Sequence, residues 1–221
     1  MSDFALAWLR LRESADLAAR NPRLARSFAA AVATESPLRI IDLASGSGAN
    51  ARALLPRIAG DQEWQLIDRD RDLLAAQGEE FTLWARRQGY PVAAGGGRIA
   101  IEARQAQWRL TTVPLDLARD LASLAEMAAD GITAAAFFDL VSEAWLAAFV
   151  DLIAQRRLPM LAALTVDGRR DWEPCRDDDA IVAAAFARHQ SRDKGFGPAL
   201  GGAAPARLET LLQAAGYRVE R

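Results

Sequence analysis

The chain has 221 residues, about half of them hydrophobic, which suffices for one domain with a sizeable core. Its formal net charge of −2 provides no electrostatic basis for holding nucleic acid or an anionic membrane surface. Cys175 is the single cysteine, so an internal disulfide and a cysteine metal cluster are excluded, and no histidine–carboxylate cluster in the sequence suggests a metal. Lys194 is the only lysine among 27 basic residues, a bias that, with the abundant alanine, is expected of a GC-rich bacterial genome. Met1-Ser2-Asp3-Phe4 begins no basic-then-apolar leader, and no apolar run approaches the ~20 residues that span a bilayer. A cytoplasmic protein is expected.

Residues 3–19 carry a helical pattern, with Phe4, Trp8, Leu11, Ala15 and Ala18 on one apolar stripe. Asn21-Pro22 is a cap followed by a first-turn proline, opening a second helix to about Val32 with Leu24, Phe28 and Val32 facing one way. Residues 1–35 thus form a helical cap ahead of a domain at 36–221. The pair either packs on the edge of that domain or forms a lid over substrate, with Arg10, Arg12, Asp16 or Arg20 near it.

The apolar run 38–43 predicts a buried strand that runs into a glycine turn. A helix follows at about 50–58, with Asn50 placed to cap it. A second strand, 63–68, ends at Asp68. The helix 70–89 draws its apolar positions from Leu73, Leu74, Phe81, Leu83 and Trp84, and Gly95-Gly96-Gly97 marks a flexible loop. Residues 98–103 and 107–115 form a hairpin or two neighbouring strands, the second ending at Asp116 and the first an insertion. A helix is expected at 118–129, and a strand at 132–138 that ends at Asp139. Ser142 is placed to cap a helix at 143–156, with Trp145, Phe149 and Leu152 on its buried side. A strand at 158–166, an irregular polar stretch at 167–179 and a helix at 180–192 come next. The loop 194–202, a helix at 204–215 and a short strand at 217–220 complete the chain. Strands alternating with helices point to an α/β fold with a doubly wound, mostly parallel sheet.

Gly46-Ser47-Gly48-Ala49-Asn50-Ala51 matches G-x-G-x-x-A, and Asp68 lies 20 residues after Gly48, where a ribose-binding carboxylate belongs. NAD-type dinucleotides and S-adenosylmethionine (SAM) share this arrangement. Three features favour SAM. Asp42 stands four residues before Gly46, a poor neighbour for a pyrophosphate and a good one for an ammonium and a sulfonium. Acids recur at successive strand ends, at Asp42, Asp68, Asp116 and Asp139, and parallel strand ends converge on one crevice. Two helices precede the first strand, whereas dinucleotide folds often place the glycine turn near the start of the chain.

The residues Asp42-Leu43-Ala44-Ser45-Gly46-Ser47-Gly48-Ala49-Asn50 and Gln65-Leu66-Ile67-Asp68-Arg69-Asp70 resemble motif I and the following acidic motif of class I, Rossmann-like SAM-dependent methyltransferases. The resemblance continues through Pro114-Leu115-Asp116-Leu117, residues 135–141 with Ala136 and Asp139, and residues 189–197 with the segment after them. It implies that Gly46 and Gly48 lie against the cofactor and that Asp42 helps hold its amino end. It implies also that Asp68 accepts from the ribose hydroxyls and Asp116 from the adenine amino group. Ala44, Asn50, Arg69, Leu117 and Ala136 complete the expected cofactor set, and Ala44 stands where the family commonly has glycine. Each strand-end acid has a plainer alternative as a turn-former or helix cap.

On the acceptor side the candidates are Asp139, Trp172, His189 and Arg192, with Asp171 and Lys194 in the same segment. His189, the only histidine, is the candidate general base, against a plain helix-surface role. No Asn-Pro-Pro-Tyr-type run follows the strand at 132–138, so nucleobase amino methylation by that scheme is not supported and a small-molecule acceptor is expected. The family's sheet ordinarily closes with an inserted antiparallel strand, for which the chain to Arg221 shows no candidate, so an abbreviated sheet or a fragment is expected. The rival functions are an NAD(P)-dependent oxidoreductase, which lacks a Tyr-x-x-x-Lys pair here, and a non-catalytic SAM-binding module.

Overall fold

The computed structural model describes residues 5–32 and 37–221. The expected boundary at 35/36 and the apolar position Phe4 lie outside the described residues. The chain divides into two compact units, one of residues 1–135 and 158–163, the other of residues 136–157 and 164–221.

The first unit holds the whole sheet. β1 (Leu38–Leu43) is its centre, and its Leu38, Ile40, Ile41 and Leu43 are all buried. A strand apolar on both sides needs parallel neighbours covered by other elements. It pairs in parallel with β2 (Gln62–Asp68) and β6 (Gly131–Ala135). β5 (Ala106–Pro114) adds to β2, and β7 (Met160–Ala163) to β6, again in parallel. β3 (Val92–Gly95) and β4 (Arg98–Ala103) extend the β5 edge as antiparallel strands. The order is β3-β4-β5-β2-β1-β6-β7. The expected α/β fold on a mostly parallel sheet is what the chain adopts. The sheet has seven strands, but its antiparallel members are the β3–β4 hairpin, and among the described residues no strand pairs beyond β7.

Among its described residues this unit has the α-helices α1 (Leu6–Ala18), α2 (Pro22–Val32), α3 (Ala49–Leu54) and α4 (Arg71–Arg87). α2, α3 and α4 share one hydrophobic cluster with Ile40, Trp64, Leu66, Ile99, Ile101, Trp108 and Leu110 of the sheet. α2 presses so closely on β6 that a Cβ at Gly131 would stand 2.5 Å from Val32 Cγ1. Asn21 Oδ1 accepts from the Arg23 N–H at 2.9 Å, securing the start of α2 as expected. Asp70 caps α4 by accepting from the Asp72 and Leu73 N–H groups. Trp84 and Tyr90 close on Trp108, with the Tyr90 and Trp108 ring centroids 5.5 Å apart and edge to face.

Several local expectations are corrected. The triple glycine is no flexible loop: Gly96 and Gly97, at φ +58° and +73°, make the two-residue turn of the β3–β4 hairpin. The expected helix at 118–129 is reduced to a 3₁₀ turn at Leu121–Ala125. Residues 217–220 form no strand, and the segment 158–166 contributes only Met160–Ala163 to the sheet. The apolar stripe assigned to α1 faces solvent, with Trp8 at 50% and Leu11 at 73% exposure. The more covered stripe is Leu6, Leu9, Glu13, Asp16 and Arg20, which is mostly polar.

The second unit contains α5 (Glu143–Gln155), α6 (Asp179–Gln190) and α7 (Ala204–Ala214). Ser142 caps α5 by accepting from the Trp145 N–H at 3.3 Å, as expected. Phe137, Phe138, Trp145, Phe149 and Phe196 form its aromatic core, and the Tyr217 hydroxyl donates to the Ile153 carbonyl at 3.0 Å. No helix among the described residues is long and apolar enough to cross a membrane.

Candidate functional site

β1 and β2 run parallel in register, so Leu43 pairs with Ile67 and the two strands deliver Asp42 and Asp68 to the same edge of the sheet. The chain leaves β1 through Ala44, whose φ of +49° is the left-handed conformation. This is the position where the resembled family carries glycine, and the left-handed backbone is the reason a glycine suits it. Gly46 and Gly48 follow with φ of +53° and +84°.

The two glycines meet different surroundings. A Cβ at Gly46 would make only an ordinary contact, 3.8 Å from Leu9 Cδ1 of α1. A Cβ at Gly48 would stand 2.4 Å from Phe81 Cε2 of α4. Gly48 therefore permits close packing of the turn on α4, whereas the Cα of Gly46 faces α1.

Side chains hold the peptide groups of Gly46 from both sides. The Gly46 N–H donates to Asp68 Oδ2 at 2.7 Å, and Gln77 Nε2 of α4 donates to the Gly46 carbonyl at 2.8 Å and to Ser45 Oγ at 3.0 Å. The other Asp68 oxygen accepts from the Asp70 N–H at 2.9 Å. Burial pushes the Asp68 carboxyl up, opposed by these two backbone donors. One acid thus ties the tip of β2 to the glycine turn.

Asp42 is fully buried. Its Oδ1 accepts from Asn50 Nδ2 at 2.6 Å, while Oδ2 is a buried oxygen without a hydrogen-bond donor among the described residues. Burial raises the carboxyl to about 7, against the lowering effects of the Asn50 bond and the nearby Arg20 charge. Asn50 lies inside α3 and does not cap it; the N-cap is Gly48. Its amide nitrogen turns inward to Asp42 and to Thr133 Oγ1 (3.1 Å), and its oxygen accepts from the Arg20 guanidinium at 2.7 Å. Burial lowers the Arg20 guanidinium, and the Asp42 charge opposes the shift.

The remaining cofactor candidates are less concentrated. Arg69 is exposed, and Leu117 is buried. Asp116 accepts from the Ala118 N–H at 3.1 Å and lies 3.7 Å from Arg119, the geometry of a turn-former. Ala136 belongs to the second unit, where φ of +52° bends the chain after β6.

All four acceptor-side candidates also lie in the second unit. Asp139 is buried in a 3₁₀ turn, Phe138–Leu140. Trp172 is 42% exposed in the irregular stretch. His189 is exposed in the last turn of α6, and Arg192 is exposed just beyond it. Two turns of α6 lie near Arg170, which sits over the Phe186 ring at 4.4 Å and donates to Gln190. Among the described residues, no group of three or more His, Cys, Asp or Glu side chains could hold a metal ion.

Three residues important to this geometry were not anticipated: Gln77, Glu80 and Arg52. Glu80 is buried on α4 and takes Arg10 of α1 at 2.5 Å, with Arg52 at 4.0 Å. The sequence signal was the i, i+3, i+4 spacing of Gln77, Glu80 and Phe81, which places two polar residues on the same helix face as a core aromatic.

No family profile matches the chain, and no curated protein matches it in sequence. Solved structures do. Cyclopropane synthase MmaA2 from Mycobacterium tuberculosis superposes over 100% of this chain and 65% of its own, with a TM-score of 0.53 at 12% identity. An O-methyltransferase family protein from Burkholderia thailandensis covers 96% of this chain and 58% of its own, with a TM-score of 0.49 at 16% identity. Human N-acetylserotonin methyltransferase, solved in complex with SAM, covers 95% and 47%, with a TM-score of 0.49 at 13% identity. The chain therefore spans between 47% and 65% of the length of these proteins. The strand order at the centre of the sheet, the glycine turn after β1 and the likeness to the cyclopropane synthase agree: the fold of this chain is that of the class I, Rossmann-like SAM-dependent methyltransferases.

Proposed function

We propose that the chain binds SAM at the β1–β2 edge and transfers its methyl group to a small-molecule acceptor. The observation that carries this reading is the pair of carboxylates around the glycine turn, Asp42 buried beneath it and Asp68 fixed to Gly46. An acid-rimmed turn favours a cationic adenosine ligand over a pyrophosphate. The orphaned Asp42 oxygen, the turn at Gly46 and the half-buried Asp68 fit that cofactor.

In this reading Asp68 accepts from the ribose hydroxyls, using lone pairs left by its two backbone donors. Gly46 supplies backbone close to the ligand. Asp42 acts on the ammonium end through Asn50, whose amide stands between the buried carboxylate and Arg20. Arg20, bonded to Asn50, would hold the carboxylate end. Ala44, Gly48, Arg69, Asp116, Leu117 and Ala136 are the further proposed cofactor contacts. The cofactor supplies a methyl group already activated on a sulfonium. The chain's share is then alignment and exclusion of water, with a base needed only for an acceptor that carries a proton. Asp139, Trp172, His189 and Arg192 are the proposed acceptor-side residues, His189 as the proton acceptor.

The test is a methyl-transfer screen with labelled SAM against small-metabolite mixtures. Label in a low-mass product together with S-adenosylhomocysteine is expected, and Asp68→Ala should abolish both. SAM binding with no S-adenosylhomocysteine from any mixture would favour a non-catalytic binding module. Label found only in macromolecules would overturn the small-molecule acceptor.

A further inference from the structure

α1 buries no residue of its own, yet ion pairs fasten it to α3 and α4, the two helices packed on the glycine turn. The centre of that fastening is Arg52 on α3, which is itself buried. Its Nη1 donates to the Ser47 carbonyl inside the turn at 2.6 Å. Its Nε and Nη2 form a two-pronged pair with Glu13 of α1, at 3.1 and 2.8 Å. Its guanidinium carbon lies 5.4 Å from the ring centre of Phe81, the side chain that presses on Gly48. Glu80 completes the set, holding Arg10 of α1 at 2.5 Å and Arg52 at 4.0 Å.

We propose that Arg52 is a positioning residue that couples the seat of α1 to the shape of the glycine turn, so that the Glu13–Arg52 pair sets cofactor affinity without touching the cofactor. The physical basis is the planar guanidinium. A single rigid fork satisfies Glu13 with one edge and Ser47 with the other, so the two partners cannot move independently. Phe81 fixes the plane of that fork from α4. Because α1 has no buried apolar anchor, its seat depends on these polar contacts and on Leu9 against Gly46. Losing Glu13 frees one edge of Arg52, and the turn held by the other edge loosens with it. The inference rests on the SAM reading for the affinity it predicts, and the motion of the turn is measurable without any ligand.

The test compares wild type with Glu13→Gln and with Ser14→Ala, the latter a change at the exposed neighbouring position of the same helix. Glu13→Gln is expected to speed amide exchange at Gly48, whose N–H bonds the Ser45 carbonyl, by about tenfold, and to weaken SAM about fivefold in a calorimetric titration. Ser14→Ala should leave both at wild-type values. A role confined to seating α1 would speed exchange within α1 alone; Gly48 exchange and SAM affinity unchanged in Glu13→Gln would overturn the coupling. If the wild type binds no SAM, the cofactor reading falls while the exchange comparison still decides the coupling.

Discussion

Asp42→Asn is expected to stabilise the protein above pH 7 while weakening cofactor binding. Asp42 is buried, and its carboxyl is raised to about 7 from 3.8. Between those values the folded state holds a proton that the unfolded state has lost. Stability therefore falls as pH rises from 4 to 7 and levels off above it. The ionised carboxylate at pH 8 costs on the order of 4 kcal/mol relative to acid pH, an upper bound set by the shift. Asparagine removes that charge and can still accept from Asn50, but its own amide then meets the position of the orphaned Oδ2 without an acceptor, at about 1–2 kcal/mol. The net gain, at most about 2–3 kcal/mol, should appear as a melting temperature up to about 4–12 °C higher at pH 8, with little change at pH 5. Thermal unfolding across that range reads both. A variant with the wild-type pH slope would show that Asp42 is not the titrating group. Loss of SAM affinity alongside gained stability is the pattern of a charge kept for function.

Gly48→Ala should cost more than any other change in the turn. It places a methyl group 2.4 Å from the fully buried Phe81 ring and forces alanine to φ +84°. Left-handed strain and overpacking together amount to about 2–4 kcal/mol, or a melting temperature lower by roughly 5–15 °C. Gly46→Ala, with its nearest contact at 3.8 Å, should lose the conformational term alone, about 1 kcal/mol. Adding Phe81→Leu to Gly48→Ala should recover part of the loss, because the two sites are in direct contact. Equal melting temperatures for Gly46→Ala and Gly48→Ala would contradict the distinction between the two glycines.

The β1–β2 edge was legible in the sequence because its signals are local. An apolar run, an acid, two spaced glycines and a second strand-end acid at the right interval are all readable along the chain, and β1, β2, Asp42 and Asp68 stand where that pattern put them. What the pattern could not show was the partner of each polar group. Asn50 reads as a cap by residue type, but its Asp42 and Thr133 partners are 8 and 83 residues away. α1 reads as amphipathic through Trp8 and Leu11, yet its inner stripe is chosen by Glu80 and Arg52, which lie far along the chain. β3, Val92–Gly95, is four residues long with no apolar–polar alternation, and its turn is two glycines, so both were invisible to period-two patterning. Residues 217–220 alternate like a strand but pair with no neighbour in the sheet, and alternation by itself supplies no partner for the backbone groups.

Calorimetric titration of the wild type with SAM and, separately, with NAD at pH 8 tests the central claim most directly. SAM is expected to bind with a dissociation constant in the micromolar range, to weaken by more than about tenfold in Asp68→Ala, and NAD to give no heat of binding. NAD binding in the absence of SAM binding would contradict it.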